Sequence, residues 1–182
     1  MARFAFEEAL RTDARHTIAA LHAQGARTLL LSGDRSNAAQ RVGAALGIAA
    51  VHAGASPEHK LALVTAQQAQ GHRVAMIGDG INDAPVLARA DVSVAMGQGT
   101  ALACSHADLT LQSGRLSDLL AARALAQRML RIVRQNLAWA ALYNAACVPL
   151  ALAGALPPWA AGLGMASSSL LVVLNAQRLR RA

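Results

Sequence analysis

Two adjacent stretches without a charged residue most constrain how this chain can fold. They cover residues 136–155 and 157–176, and each is close to the roughly 20 apolar residues that span a bilayer. The turn-forming residues 154–158 join them. Arginines lie just outside both stretches, at Arg128, Arg131 and Arg134 before the first and at Arg178, Arg180 and Arg181 after the second. The pattern predicts a two-helix transmembrane hairpin, and the alternative is a buried helical hairpin in a soluble protein.

The charge distribution indicates which way the hairpin is oriented. Loops rich in Lys and Arg stay on the cytoplasmic side, so both ends of the hairpin are expected in the cytoplasm, with the protein in the cell (inner) membrane. The net charge of +7 could indicate nucleic-acid binding, but the basic residues flank the apolar stretches and no aromatic residues alternate with them. We therefore predict membrane lipid as a partner and no nucleic acid.

Before about residue 116 the sequence has a different character, because short apolar runs alternate with helical patterns. This alternation is typical of a parallel sheet covered by helices. The predicted strands are 27–31, 73–77, 92–96 and 109–111. The predicted helices are 14–24 with Asp13 as cap, one that Ser36 caps and that ends near Gly47, one from Ser56-Pro57-Glu58 to Gly71, and one over 117–134. We expect an α/β domain over 1–114, a connecting helix over 115–135 and the hairpin over 136–182.

An acidic loop carries the strongest chemical signal. The run GDGINDAP, residues 78–85, directly follows a predicted strand, and its two acids, Asp79 and Asp83, are four residues apart. Carboxylates that converge at the carboxyl edge of a sheet are the hard oxygen ligands that suit Mg²⁺. A plain turn does not require two acids, an asparagine and a proline in this order, so a magnesium site is the favoured interpretation.

Two weaker features complete a predicted phosphate site. Ser32-Gly33-Asp34 ends another strand, where a hydroxyl and backbone N–H groups can hold phosphate oxygens. Lys60 lies in the first turns of its helix and offers a positive charge. Taken singly, Ser-Gly-Asp is usually just a turn and a lone lysine is usually a solvated surface residue.

With these motifs the sequence resembles the haloacid-dehalogenase-type (HAD-like, Rossmannoid) phosphorylation domain of P-type ATPases. Lys60 matches that family's third motif and residues 78–85 its fourth, while Ser32 stands where the second motif usually has Thr. The runs 90–97 and 99–100 resemble the family's continuation. The resemblance implies that Asp79 binds Mg²⁺ directly with Asp83 in support. It also implies that Asn82, Ser32 and Lys60 contact an acyl-phosphate, with Gly33 and Asp34 in the same phosphate loop.

The family's nucleophile, an Asp in a DKTGT stretch, does not occur in this sequence. In the family fold its strand lies between the strand that ends at Ser32 and the one that ends at Ile77. The domain that binds ATP and the actuator domain are also missing. We therefore expect a partial phosphorylation domain, with an N-terminal remainder of the pump as partner, and a fragment that is inactive alone.

Polar side chains in the predicted spans are candidates for an ion site, because such groups are costly within a membrane. Tyr143 and Asn144 lie in the first span, and Met165, Ser168 and Ser169 share one helix face in the second. A thioether suits Cu(I) better than a hard cation. The alternative is that Met and Ser only fill the helix interface.

Together these five residues resemble the copper(I) subgroup of heavy-metal pumps, and the run 143–179 is most similar to the branch associated with cytochrome oxidase assembly. The resemblance implies Cu⁺ as the transported ion and a copper chaperone as a further partner. Cys147, one turn after Tyr143, is a speculative additional copper ligand, whereas Cys104 is expected to be structural.

The sequence thus predicts part of an ATP-driven copper(I) exporter, or an exporter of another soft monovalent ion such as silver. Two alternatives stay open. One is a membrane-tethered HAD phosphatase, which would need a nucleophilic Asp of its own. The other is a non-enzymatic regulatory protein derived from a pump.

Overall fold

The structure, a computed structural model, describes residues 10–34, 37–79, 83–97, 104–105 and 107–181. Its strands are β1 (Leu29–Leu31), β2 (Ala50–His52), β3 (Ala75–Gly78), β4 (Val92–Met96) and β5 (Leu109–Leu111). Its helices are α1 (Ala14–Ala23), α2 (Ala38–Leu46), α3 (Pro57–Ala69), α4 (Ala84–Arg89), α5 (Asp118–Leu152) and α6 (Pro158–Gln177), followed by a 3-10 turn over Arg178–Arg181. The chain divides into two units, Met1–Ala121 and Ala122–Ala182.

The first unit is a mixed α/β structure with parallel strands. β1 pairs with β2 in one sheet, and β3, β4 and β5 follow one another in a second sheet. The four residues Ser93–Met96 of β4 are buried, because β4 has a neighbour on each side. Val94, Met96 and Leu111 form the core of this sheet, against which Ile77 and Leu119 pack. The α/β class predicted for this part of the chain is confirmed.

The strands agree with the sequence prediction to different degrees. β4 and β5 have the predicted bounds, while β1 and β3 are displaced toward the C-terminal end of their predicted runs. β2 was not predicted, since its three residues are Ala50, Val51 and His52, of which only Val51 is a large apolar residue.

Two predicted helix caps have different outcomes. Asp13 does precede α1, but its side chain does not bond to the first turn of that helix. Its carboxylate instead accepts a hydrogen bond of 2.8 Å from the backbone N–H of Ser117, 104 residues away. This contact, with the Arg11 guanidinium bonded to the carbonyl of Gly114, ties the start of the described chain to the entry of α5. Ser36 lies outside the described residues, and Asn37 precedes α2.

The second unit contains most of α5 and all of α6. The predicted connecting helix and most of the first predicted span form one continuous helix of 35 residues, α5. Of the described helices, the one over Pro158–Arg180 is long and apolar enough to cross a membrane, with a mean hydropathy of 1.4. A second span over 136–155 stays a prediction.

Candidate phosphoryl-transfer site

An ion pair between Lys60 and Asp83 forms the centre of the candidate site. The Lys60 ammonium lies 2.7 Å from Oδ1 of Asp83, and the two side chains are only 12% and 14% exposed. Ser56 orients α3, because its hydroxyl accepts a hydrogen bond of 3.2 Å from the His59 N–H and Pro57 occupies the first turn. Lys60 follows directly and so extends from the first turns of a capped helix.

Asp83 also packs against the end of β3. A Cβ atom added to Gly78 would lie 3.0 Å from Asp83 Cβ and 3.1 Å from its Oδ2, so a larger residue would displace this carboxylate by a few tenths of an ångström. Asp79 is the next residue after Gly78 and is exposed. The Asp83 carboxylate therefore lies at the carboxyl end of β3, the strand that Asp79 directly follows, and the magnesium site formed by the two acids stays a prediction.

The Ser32 loop is linked to the same helix. The Ala55 N–H donates to the Ser32 carbonyl at 2.8 Å, and the Gly54 N–H donates to the Asp34 carbonyl at 2.8 Å. The Ser32 hydroxyl accepts from the Asp34 N–H at 3.1 Å. Because residues 54–55 lead directly into α3, these bonds connect the carboxyl end of β1 to the helix that carries Lys60.

The donor set fits a magnesium ion. Asp83 supplies a carboxylate at the end of β3 and Asp79 directly follows that strand, and the exposure of Asp79 leaves space for water and a substrate oxygen, as Mg²⁺ requires. The Lys60 ammonium already occupies Oδ1 of Asp83, which leaves Asp79 as the more accessible ligand. Gly33 and Asp34 are exposed, and Asn82 lies outside the described residues.

Two further aspartates hold the sheet that positions this site, and the sequence analysis did not single them out. Asp91 accepts hydrogen bonds from the Val74 N–H at 2.9 Å, from the Gln68 amide at 3.1 Å and from the Arg73 guanidinium at 3.0 Å. These donors, the Val74 N–H above all, lower the pKa of Asp91 from its usual 3.8 to about 2.

Asp108 has a similar role between β4 and β5. Its carboxylate accepts from the Ser93 N–H at 2.8 Å and from the Ser93 hydroxyl at 2.7 Å, and these bonds lower the pKa of Asp108. Both aspartates stand at strand ends and bond to chain segments at least 15 residues away. A short-range sequence pattern contains no signal for such contacts.

The predicted ion-site residues of the second unit lie on α5 and α6. Tyr143 reaches α6, where its hydroxyl donates to the Ala161 carbonyl at 3.4 Å and lies 2.7 Å from the position of a Cβ on Gly164. Ser168 accepts a hydrogen bond of 3.1 Å from the Trp139 indole. Two of the five predicted residues, Tyr143 and Ser168, are thus at the contact between the two helices.

The other predicted residues are more open. Met165 is 65% exposed, and Asn144 and Ser169 are also exposed. Cys147 is half-buried with a free thiol and lies one turn after Tyr143 on α5. The part of the chain that the structure describes holds no group of three or more His, Cys, Asp or Glu side chains suited to a metal. The copper ligands therefore stay a prediction.

Comparison with known proteins agrees with the geometry of the first unit. A family model described as haloacid dehalogenase-like hydrolase matches residues 1–91. A probable copper-exporting P-type ATPase V of Mycobacterium tuberculosis is 44% identical over 177 residues, which are 97% of this chain and 23% of that protein. A copper-exporting P-type ATPase of Staphylococcus aureus is 43% identical over 177 residues, again 97% of this chain and 22% of that protein.

A solved structure is also similar over most of the chain. The crystal structure of a zinc-transporting PIB-type ATPase in its E2.Pi state matches 95% of this chain and 28% of its own, with a TM-score of 0.90 and 36% identity. The chain thus spans about a quarter of the length of the proteins that it matches.

Proposed function

This chain belongs to the haloacid dehalogenase-like hydrolase family and is homologous to copper-exporting P-type ATPases, and from that premise we propose that it is part of an ATP-driven copper(I) export pump. The first unit would take part in phosphoryl transfer and the second in ion passage through the inner membrane. This chain spans about a quarter of the length of its relatives. The activity of the whole pump is therefore a proposal, which rests on the geometry of the Lys60–Asp83 site.

The nearly buried pair of Lys60 and Asp83, packed against Gly78 at the end of β3, carries the proposal. In a site that transfers a phosphoryl group the protein mainly positions the reactants and neutralises charge. Lys60 would hold a phosphate oxygen, and the Ser32 hydroxyl with its backbone would hold another. Asp79 and Asp83 would bind Mg²⁺, which when bound neutralises phosphate charge during transfer.

The nucleophile would come from sequence other than these 182 residues, which contain no DKTGT. In the described residues β1 pairs only with β2, and β3 pairs only with β4. One edge of each strand is therefore available to a strand inserted between them, which is where the family fold places the nucleophile. ATP would bind to a domain that likewise belongs to the rest of the pump.

The transported ion is the second part of the proposal. Copper(I) is supported by the names of the two relatives and by the thioether of Met165, a soft ligand. Tyr143, Asn144, Ser168 and Ser169 would complete the site, with Cys147 as a transient ligand. The similarity to a zinc-transporting ATPase makes zinc the second candidate.

The test uses the intact pump that contains this sequence. ATP hydrolysis is measured with Cu(I) or Zn²⁺ for the wild type, for Asp79→Asn and for the control Asp118→Asn at the start of α5. We expect copper to stimulate hydrolysis and Asp79→Asn to lower the rate by about 100-fold or more, as for loss of a group that stabilises transition-state charge. The control should remain within about twofold of the wild type, because Asp118 lies outside the site.

Full activity of Asp79→Asn would refute the phosphoryl-transfer role of this loop. Stimulation by zinc and not by copper would refute the copper assignment and leave the phosphoryl-transfer role in place.

A further inference from the structure

All of the net charge of this protein lies in its second unit. Ten of the 17 Lys and Arg residues and all 10 Asp and Glu residues precede Ala122, so the first 121 residues are neutral. The remaining seven basic residues are arginines, and they account for the net charge of +7. No carboxylate occurs in residues 122–182 to neutralise them.

Three of these arginines surround a cavity between α5 and the end of α6. The cavity has a volume of about 230 Å³. Its charged walls are Arg128 and Arg131 on α5 and Arg178 at the end of α6. Gln127, Gln135, Ala124 and Ile132 complete the lining. Because every charged group in the wall is cationic, the cavity suits an anion.

Two of the three arginines are held in place by hydrogen bonds that leave most of their N–H donors available. Arg128 is half-buried and donates through Nη2 to the carbonyl of Arg178 at 2.5 Å. Arg178 donates through Nη1 to Oδ1 of Asn175 at 3.1 Å, and Asn175 in turn donates to Oδ1 of Asn136 at 2.8 Å. A guanidinium has five N–H donors, so each of these two arginines retains several for a ligand.

A second, apolar groove adjoins the basic cavity. It has a volume of about 500 Å³ and shares Gln135 and Arg178 with the cavity. Trp139, Leu171, Val172 and Leu174 supply its apolar wall. A ligand that fits both spaces has an anionic head and a hydrocarbon tail.

We propose that this pair of spaces is a binding site for one anionic phospholipid, with its phosphate among Arg128, Arg131 and Arg178 and an acyl chain along Trp139 and Leu171. The site rests on the proposed membrane location of α6. The arginines lie just outside the charge-free stretches, which is the depth at which headgroups meet the protein. Free phosphate would satisfy the basic cavity but would leave the apolar groove empty.

The experiment uses the full 182-residue chain reconstituted into vesicles, with Trp159→Phe so that Trp139 is the single tryptophan. Retention of the chain in neutral phosphatidylcholine vesicles after alkaline extraction is measured first. Quenching of Trp139 is then compared for brominated phosphatidylglycerol and brominated phosphatidylcholine at equal mole fraction. We expect the anionic lipid to be preferred by at least about fivefold, the effect of one arginine near a headgroup.

A charge-matched pair of variants tests the location of the site. Arg128→Gln, Arg131→Gln and Arg178→Gln together should abolish the preference. Arg123→Gln, Arg134→Gln and Arg180→Gln together remove the same charge from positions that do not line the cavity, and should retain at least half of the preference.

The other possible results distinguish the membrane location, the lipid site and general surface charge. Loss of the chain from neutral vesicles refutes the membrane location itself, whereas retention without any lipid preference refutes only the lipid site. If both triple variants lose the lipid preference equally, the preference comes from general surface charge and not from a site in the cavity. If excess inorganic phosphate removes the preference as fully as the cavity variant does, the ligand is free phosphate and the lipid proposal is wrong.

Discussion

At the scale of single residues, the Lys60–Asp83 pair is the contact that points most directly to chemistry. Removing two charges from water costs free energy that a single hydrogen bond rarely recovers, so a nearly buried ion pair is weak support for stability. The pair lies at the strand end where the acidic loop begins, and its charges would serve a phosphate and a cation there. A functional role accounts for its position better than a contribution to folding does.

Asp91 is a residue whose role is structural and depends on pH. Its folded pKa of about 2 lies below the usual 3.8, so the ionised form is bound more strongly in the folded state. The stabilisation is complete above pH 3.8 and disappears as the pH falls through about 2. Asp91→Asn should therefore unfold at a lower denaturant concentration than the wild type at neutral pH, and the two should converge in acid.

The measurement is the midpoint of guanidinium unfolding of the full chain in detergent, followed by circular dichroism from neutral pH to about pH 2. The difference between the unfolding midpoints of the wild type and the variant excludes the contribution of the acids that both proteins share. A difference in midpoint that stays constant down to pH 2 would contradict the role given to the Asp91 carboxylate.

At the scale of elements, the strands that could be predicted from the sequence are those that lie in the core. β4 and β5 were found with their bounds because their apolar side chains recur within a few residues and lie in the core of the second sheet. β2 could not be found, since its three residues pair with β1 through contacts about 21 residues apart along the chain. The same limit applies to Asp13, whose carboxylate bonds to Ser117 and not to its own helix.

The site shows the same division between local and distant contacts. Spacing alone predicted Asp79 and Asp83 as one pair of ligands, because they are four positions apart in the sequence. The pairing of Lys60 with Asp83 joins residues 23 positions apart and depends on how α3 packs against α4, so the two were assigned separately to phosphate and magnesium. Packing of distant elements is not encoded in any local pattern.

The contact between β4 and β5 gives a prediction at this scale. Gly97 directly follows β4, and its N–H donates to the Leu111 carbonyl at 2.8 Å. A Cβ at this position would lie 2.5 Å from Gln112 Cα and 2.6 Å from the Leu111 oxygen, both of which are backbone atoms. Gly97→Ala must force the strands apart, and we expect it to lower the free energy of unfolding by about 1–3 kcal/mol.

Gly33→Ala is the matched control, because the nearest atom to a Cβ there is the Ala55 oxygen at 3.9 Å. Its unfolding free energy should lie within about 0.5 kcal/mol of the wild type. Denaturant unfolding of both variants measures the difference. Equal stability of the two variants would mean that β4 and β5 do not approach as closely at Gly97 as the structure has them.

At the scale of the whole molecule, the described residues leave the first unit with two separate parallel sheets. β1 and β3 are only partly buried, and Leu29 in β1 is 38% exposed. Parallel strands are usually covered on both faces and have paired edges, because unpaired backbone groups and exposed apolar side chains are unfavourable. A strand inserted between β1 and β3 would pair both edges and bring its carboxyl end to Ser32, Lys60 and Asp79.

This arrangement predicts phosphorylation in trans. The chain alone, incubated with ATP and Mg²⁺, should give no acid-stable phosphoenzyme, since the nucleophile is not among its residues. Mixed with a separately expressed segment that carries the DKTGT strand and the ATP-binding domain of a related copper-exporting ATPase, it should support a phosphoenzyme that hydroxylamine cleaves, as an acyl-phosphate requires. The label should lie on the added segment, and Asp79→Asn in this chain should reduce it by about 100-fold. The Asp118→Asn chain should support labelling as the wild type does.

A labelled phosphoenzyme on this chain alone would contradict the proposal, because an aspartate within these residues would then be the nucleophile and β1 and β3 would need no inserted strand.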